Sequence, residues 1–256
     1  MDAIVTAGGM PTPDDPLATR LKNAPKSMMD VAGKPMIQWV LDALAGAKGI
    51  GRVVVVGLPE DAPLNFPRPL TILPDTGSMI DNLQSGAKAL APFHTANDFI
   101  LAVSSDTPTI TSAHVDWVVK QVEKTPDELF FGVIEREVME KRFPGANRTY
   151  LKLKNIEVCA SDFNALRINL ISGGHPLAEQ IVSARKNPLK QAMLLGVDTL
   201  LAVLFRRVTL DQTARRICRK LGITGRAVIV PFAELGMDVD KPHQLELVES
   251  DLAVQV

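Results

Sequence analysis

Ala3-Ile4-Val5-Thr6-Ala7-Gly8-Gly9 and Arg52-Val53-Val54-Val55-Val56-Gly57 are short apolar runs, each closing on glycine. Between them, Met36–Ala47 carries apolar residues at helical spacing through Ile37, Val40, Leu41 and Leu44. The consecutive valines are too β-branched for a helix and apolar enough to be buried on both faces, the pattern of a strand in a parallel sheet. Strand, helix, strand in this order predicts a crossover unit. Working outward, Leu70–Leu73, Phe99–Val103 and Leu129–Ile134 read as further strands, and Ser78–Leu90 and Ser112–Glu123 as helices. The alternation predicts an α/β fold, a mostly parallel twisted sheet flanked by helices. Beyond it the pattern is less regular. Thr149–Leu153 reads as a strand, residues 175–222 as a helical insertion, Arg226–Val230 as a strand and Pro242–Leu252 as a closing helix. No repeat, low-complexity tract or linker divides residues 1–256, so a single domain is expected.

Composition narrows the function. The chain has 256 residues, 46% of them apolar, and a net charge of −1. It has no basic excess with which to hold a nucleic-acid backbone. Cys159 and Cys218 fit no metal or redox spacing and read as reduced structural thiols. His94, His114, His175 and His243 show no zinc-ligand spacing. No leader-like segment precedes the first strand, and the apolar stretch Ala192–Phe205 is interrupted by Asp198 and too short to span a bilayer. A soluble cytoplasmic protein is therefore expected. The segment Met193–Phe205, followed by Arg206-Arg207, is read as core or homodimer packing; an interfacial membrane contact is the sharper alternative.

In open parallel sheets, ligands gather at the carboxyl ends of the strands. Gly8-Gly9 follows the first strand, and glycine lets backbone N–H groups approach a phosphate closely. Arg20, Lys26 and Lys34 follow, enough cations to neutralise a triphosphate. The Rossmann G-x-G-x-x-G and the Walker A loop are both absent. Ser104-Ser105-Asp106-Thr107-Pro108 puts a carboxylate after a buried strand, where Mg²⁺ binds through one or two carboxylates plus substrate phosphates; a helix cap is the plainer role for Asp106. Arg148, Tyr150 and Lys152 alternate along the expected strand and so share one side. Two cations there could receive an acidic acceptor.

AIVTAGG (residues 3–9) and PKSMMDVAGKPMIQWVLDAL (residues 25–44) resemble the N-terminal signature of the MobA-like NTP transferase superfamily, the nucleotidyltransferases of sugar-phosphate, molybdenum-cofactor and methylerythritol-phosphate type. The likeness spans residues 1–110 well and 226–250 moderately. It implies a Rossmann-like nucleotidyltransferase fold and transfer of a nucleoside monophosphate from an NTP to a small acceptor, with pyrophosphate leaving. It implies that Ala7, Gly8 and Gly9 wrap the nucleotide, that Arg20 and Lys26 hold the β- and γ-phosphates, and that Asn82 lies near the base. Asp106 would be both catalytic and a ligand of Mg²⁺. Asp240, in Asp238-Val239-Asp240-Lys241-Pro242, would complete the metal site, with Asp238 the second choice. Arg148, Tyr150, Lys152 and Asn164 are the acceptor-side candidates. The sequence departs from the signature at Met10–Thr19, which reads as a proline-stiffened insertion before Arg20, and within it Pro11–Pro16 is expected to form a flap over the phosphates. That insertion also supports a second reading, a catalytically weakened nucleotide-binding or regulatory protein of the same fold.

Overall fold

The computed structural model describes residues 1–10, 12, 14–21, 24–172 and 197–254. Strand β1 (Asp2–Thr6) opens the chain and buries Ala3, Ile4 and Val5 completely. One helical turn, α1 (Ala18–Leu21), follows the proline-rich segment, and its Leu21, with Leu17 just before it, packs into the main core. A small hairpin, β2 (Asp30–Val31) and β3 (Lys34–Pro35), turns at Ala32 and Gly33, both at positive φ. Helix α2 (Met36–Gly46) buries the face carrying Met36, Ile37, Val40, Leu41 and Leu44. Strand β4 (Val53–Val56) is buried on both sides, as its sequence requires. Val53 and Val55 belong to the cluster beneath α2, whereas Val54 and Val56 face the opposite layer.

The unit continues through β5 (Leu70–Leu73), α3 (Met79–Leu90), β6 (Phe99–Ser104), α4 (Ser112–Val122) and β7 (Leu129–Glu135). Ser78 caps α3 by accepting from the Asp81 N–H at 3.1 Å, satisfying one orphan donor of the first turn. Two elements here have no counterpart in the sequence expectations: α5 (Arg136–Arg142), directly after β7, and β9 (Glu157–Arg167). The expected strand at Thr149–Leu153 is only the two-residue β8 (Leu151–Lys152), hydrogen-bonded to β9. Of the expected helical insertion, residues 175–196 lie outside the described residues. The rest forms α6 (Val197–Leu204) and α7 (Leu210–Leu221). Within α6, Ala202 and Val203 pack on the sheet, while Leu201, Leu204 and the following Phe205 are exposed. Strand β10 (Gly225–Ile229) and helix α8 (Pro242–Ala253) complete the fold. Among the described residues, no helix is long and apolar enough to cross a membrane.

The sheet runs β10-β7-β9-β6-β1-β4-β5, with β8 beside β9. β5, β4, β1 and β6 are parallel, as are β7 and β10. β9 is the antiparallel exception, wedged between β6 and β7. A bulge interrupts β7 between Phe131 and Val133. There Asn164 accepts from the Gly132 N–H at 3.1 Å and donates to the Ser161 carbonyl at 3.1 Å. Both thiols are buried and unpaired.

Candidate active site

The carboxyl ends of β1, β4, β5 and β6 define one edge of the sheet. After β1, the chain turns through Ala7, Gly8 and Gly9. This loop is held from behind at two points. The Ser27 hydroxyl donates to the Ala7 carbonyl at 3.1 Å, fixing the short 3₁₀ turn Lys26–Met28 against it. Gly57, just past β4, approaches so closely that a Cβ there would lie 2.1 Å from the Gly8 nitrogen. Gly57 also has φ +121°, where an L side chain is strained.

Lys26 leaves its turn toward Asp106. Its ammonium donates to Asp106 Oδ2 at 2.8 Å and also to Asp240 Oδ1, so the two candidate metal carboxylates converge on one cation. Asp106 lies just beyond β6, where the Ser104 hydroxyl donates to its Oδ1 at 2.5 Å. Asp240 reaches the same place because the Val239 N–H donates to the Asp106 carbonyl at 3.0 Å, stitching residues 238–240 to the end of β6. Gln244 on α8 accepts from the Asp240 N–H at 2.9 Å. The helix-cap role falls to Thr111, the N-cap of α4, and not to Asp106. Burial alone would lower the Lys26 pKa, but the charge and hydrogen bond of Asp106, then those of Asp240, raise it above its ordinary value.

A cleft of about 300 Å³ opens beside this triad, bounded by Gly8, Gly9, Lys26, Asp106 and the loop Asp75–Ser78. Asn82 forms its wall. The Asn82 amide oxygen accepts from the Thr76 N–H at 2.8 Å and hydroxyl at 2.7 Å, and its NH₂ donates to Asp75 Oδ1 at 2.9 Å. Asn82 thus spends its polar groups on shaping the loop, with Gly8 pressed against it: a Cβ on Gly8 would be 2.6 Å from Asn82 Nδ2. Asp75 is held below its ordinary pKa by the Gly77 N–H first, then by Asn82 and the backbone of Gly9 and Thr76.

On the far side of Asp240 a second cleft, of about 570 Å³, is walled by Phe131, Val133, Leu151, Val158, Arg148 and Asp238, among others. Arg148 does not reach outward. Its guanidinium pairs with Asp238 and lies 3.9 Å from Asp162 Oδ2. Burial first, and then the negative charge of Asp106, push Asp162 up to about 7.

A model of the MobA-like NTP transferase domain matches residues 3–225. The chain belongs to this family. Among solved structures, it is similar to a hypothetical transferase from Thermus thermophilus at 34% identity and TM-score 0.79, over 95% of this chain and 98% of that one. More distantly it resembles a CMP:2-keto-3-deoxy-manno-octonic acid synthetase complexed with CTP, at 17% identity and TM-score 0.61 over 100% and 98% of the two chains. The 2-C-methyl-D-erythritol 4-phosphate cytidylyltransferase from Thermus thermophilus is similar at 14% identity and TM-score 0.57, again over 100% and 98%. The two distant likenesses carry the fold. No curated protein matches the sequence.

Within this MobA-like chain, Ala7, Gly8, Gly9, Lys26, Asn82, Asp106 and Asp240 gather at one edge, and other expected residues do not. Arg20 is turned away: its guanidinium holds Glu249 of α8 at 2.5 Å and is 53% exposed. Leu17, just past the expected flap, is buried, while Thr12, Asp14 and Pro16 are exposed; Pro11 and Pro13 lie outside the described residues. Arg148 and Tyr150 both line the second cleft, whereas Lys152 is not part of its lining, and only Leu151 and Lys152 are in a strand. The Tyr150 hydroxyl donates to Glu140 at 2.8 Å, and Lys152 lies 4.0 Å from Glu157. Asn164 serves the β7 bulge and lies outside the second cleft. Asp75 and Asp162 were missed. Asp75 follows a strand just as Asp106 does, a signal the sequence offered; Asp162 gave none while β9 went unrecognised.

Proposed function

We propose that this chain is a Mg²⁺-dependent nucleotidyltransferase, moving a nucleoside monophosphate from an NTP to a small phosphorylated or otherwise nucleophilic acceptor and releasing pyrophosphate. The observation that carries this reading is the convergence of Lys26, Asp106 and Asp240 between two clefts, one of them floored by the glycine loop. The NTP belongs in the cleft beside Gly8, Gly9 and Asn82, and the acceptor in the one beyond Asp240.

A divalent cation suits this donor set. The Lys26 ammonium already lies between two carboxylates, so the position favours positive charge. Among the described residues, no group of three or more His, Cys, Asp or Glu side chains is arranged to hold a metal. A pair such as Asp106 and Asp240 matches Mg²⁺, which takes its remaining ligands from phosphates and water. When bound, Mg²⁺ supplies charge neutralisation at the α-phosphate and the departing pyrophosphate. The chain's own groups orient the reactants. The Gly8 and Gly9 backbone borders the phosphates, and Lys26 carries positive charge to the leaving group. The acceptor oxygen bonds to the α-phosphorus as the bond to the bridging oxygen breaks, and pyrophosphate leaves with the electron pair. A hydroxyl acceptor also gives its proton to water.

The test is pyrophosphate release measured with each of four NTPs and a panel of acceptors, with Mg²⁺ and with EDTA. Release that depends on one NTP and is lost in EDTA is the expected result. The turning away of Arg20 favours one second reading, a nucleotide-binding regulator. Tight NTP binding without release across the whole panel is the outcome that would establish it.

A further inference from the structure

The two oxygens of the Asp106 carboxylate have different partners. Oδ2 accepts from the Lys26 ammonium at 2.8 Å, and the same ammonium holds Asp240. Oδ1 accepts from the Ser104 hydroxyl at 2.5 Å, a short charge-assisted bond. Ser104 is the last residue of β6, in register with Thr6 of β1, and it lines the cleft beside Gly8 and Gly9. The backbone here is fixed without that hydroxyl. The Ser105 N–H donates to the Thr6 carbonyl at 3.1 Å, and the Asp106 carbonyl accepts from the Val239 N–H at 3.0 Å. The Ser104–Asp106 bond joins two side chains, so it caps no helix and closes no turn. What it sets is the rotation of the carboxylate about its terminal torsion, which is otherwise broad.

We propose that Ser104 is a positioning residue of the metal site, holding the Asp106 carboxylate in the orientation that receives a divalent cation. The two carboxylates differ in freedom: the Asp106 side chain is 18% exposed and that of Asp240 54%. A cation entering between them takes the place of the Lys26 ammonium and frees Asp106 Oδ2 from it. The Ser104 hydroxyl then remains as the side-chain donor that keeps Asp106 from turning. Mg²⁺ tolerates little departure from octahedral geometry, so a ligand oriented in advance binds it more tightly. This rests on the metal-dependent reading of the site and deepens it.

The experiment titrates Mn²⁺ alone into the full chain and follows the free ion by electron paramagnetic resonance. Ser104→Ala is expected to weaken Mn²⁺ binding about tenfold, the lower end of the effect of losing a group that orients a metal ligand. Ser104→Thr, which keeps the hydroxyl, should recover most of that loss. Melting in EDTA should stay near that of the parent, because the bond serves no backbone group. Should Ser104→Ala fail to fold, Ser104→Cys replaces the hydroxyl with a far weaker donor and is expected to show the same loss. Unchanged Mn²⁺ affinity in the variant overturns the inference. So does a loss that threonine does not recover, or one accompanied by a lower melting temperature in EDTA, which would make Ser104 structural. The parent and Asp106→Asn separate this from failure of the metal reading. A parent that binds no Mn²⁺, or binding that survives Asp106→Asn, strikes that reading and the inference with it.

Discussion

Lys26 stands where two carboxylates would otherwise repel each other. Removing its charge should cost the nucleotide more than the fold. Lys26→Met is expected to abolish most of the NTP-induced rise in melting temperature, which arises by mass action on the native state. It should also lower turnover on the order of 10²-fold, the usual penalty for losing one pre-positioned charge. An unchanged thermal shift would remove Lys26 from the phosphate site. Asp162 makes a different prediction, because its carboxyl is pushed up to about 7 from an ordinary 3.8. Between those values the unfolded chain has lost the proton and the folded chain keeps it. Stability therefore falls as pH rises from about 4 to about 7, and the contribution is level above that. Asp162→Asn should flatten this slope and raise the urea midpoint most at pH values above 7. A slope that persists in the variant would assign it to another group.

At the scale of elements, two glycines set distances that side chains would break. Gly57→Ala combines a positive φ with a clash into the Gly8 backbone, and is expected to destabilise by about 1–3 kcal/mol while weakening NTP binding, because the phosphate loop must shift. At Gly86, in the middle of α3, alanine would gain about 1 kcal/mol of helix propensity. Its Cβ would nonetheless lie 2.7 Å from Ile4 Cγ2, in a side chain with no exposure. Overpacking of this kind costs about 1–3 kcal/mol, so Gly86→Ala should come out destabilising or neutral in chemical denaturation despite its propensity. A clear gain would mean that α3 slides on the sheet. The same scale shows why some elements were legible in sequence. Val53–Val56 and Met36–Gly46 each carry one unbroken period, and the structure follows it to within a residue or two. β9 carries none. Its small and polar residues, Ala160, Ser161, Asp162 and Asn164, interrupt the alternation, because Ser161 is buried to bond the Leu235 carbonyl and Asn164 holds the bulge. These are tertiary demands, and no local window reveals them.

Across the whole molecule, the site joins parts of the chain that sequence spacing cannot relate. Lys26, Asp106 and Asp240 were each legible as residues, the last two through the family's motifs. Their convergence depends on the sheet order and on the bond from Val239 to Asp106. Because both carboxylates face one cation, Asp106→Asn and Asp240→Asn should each abolish turnover, and the double variant should lose little more than either single one. Circular dichroism and melting should stay near those of the parent. Additive losses would mean that the two serve separate steps. Arg20 and Asn164 instead have partners, Glu249 and Gly132, that no local window of sequence announces. The Val239–Asp106 bond also orders events in time. Every described strand of the sheet is synthesised before Asp240. A nascent chain can thus assemble its glycine loop, Lys26 and Asp106 while still on the ribosome, yet stay chemically incomplete until the segment after β10 folds back and closes a loop of more than a hundred residues. Maturation of activity should lag behind acquisition of the fold.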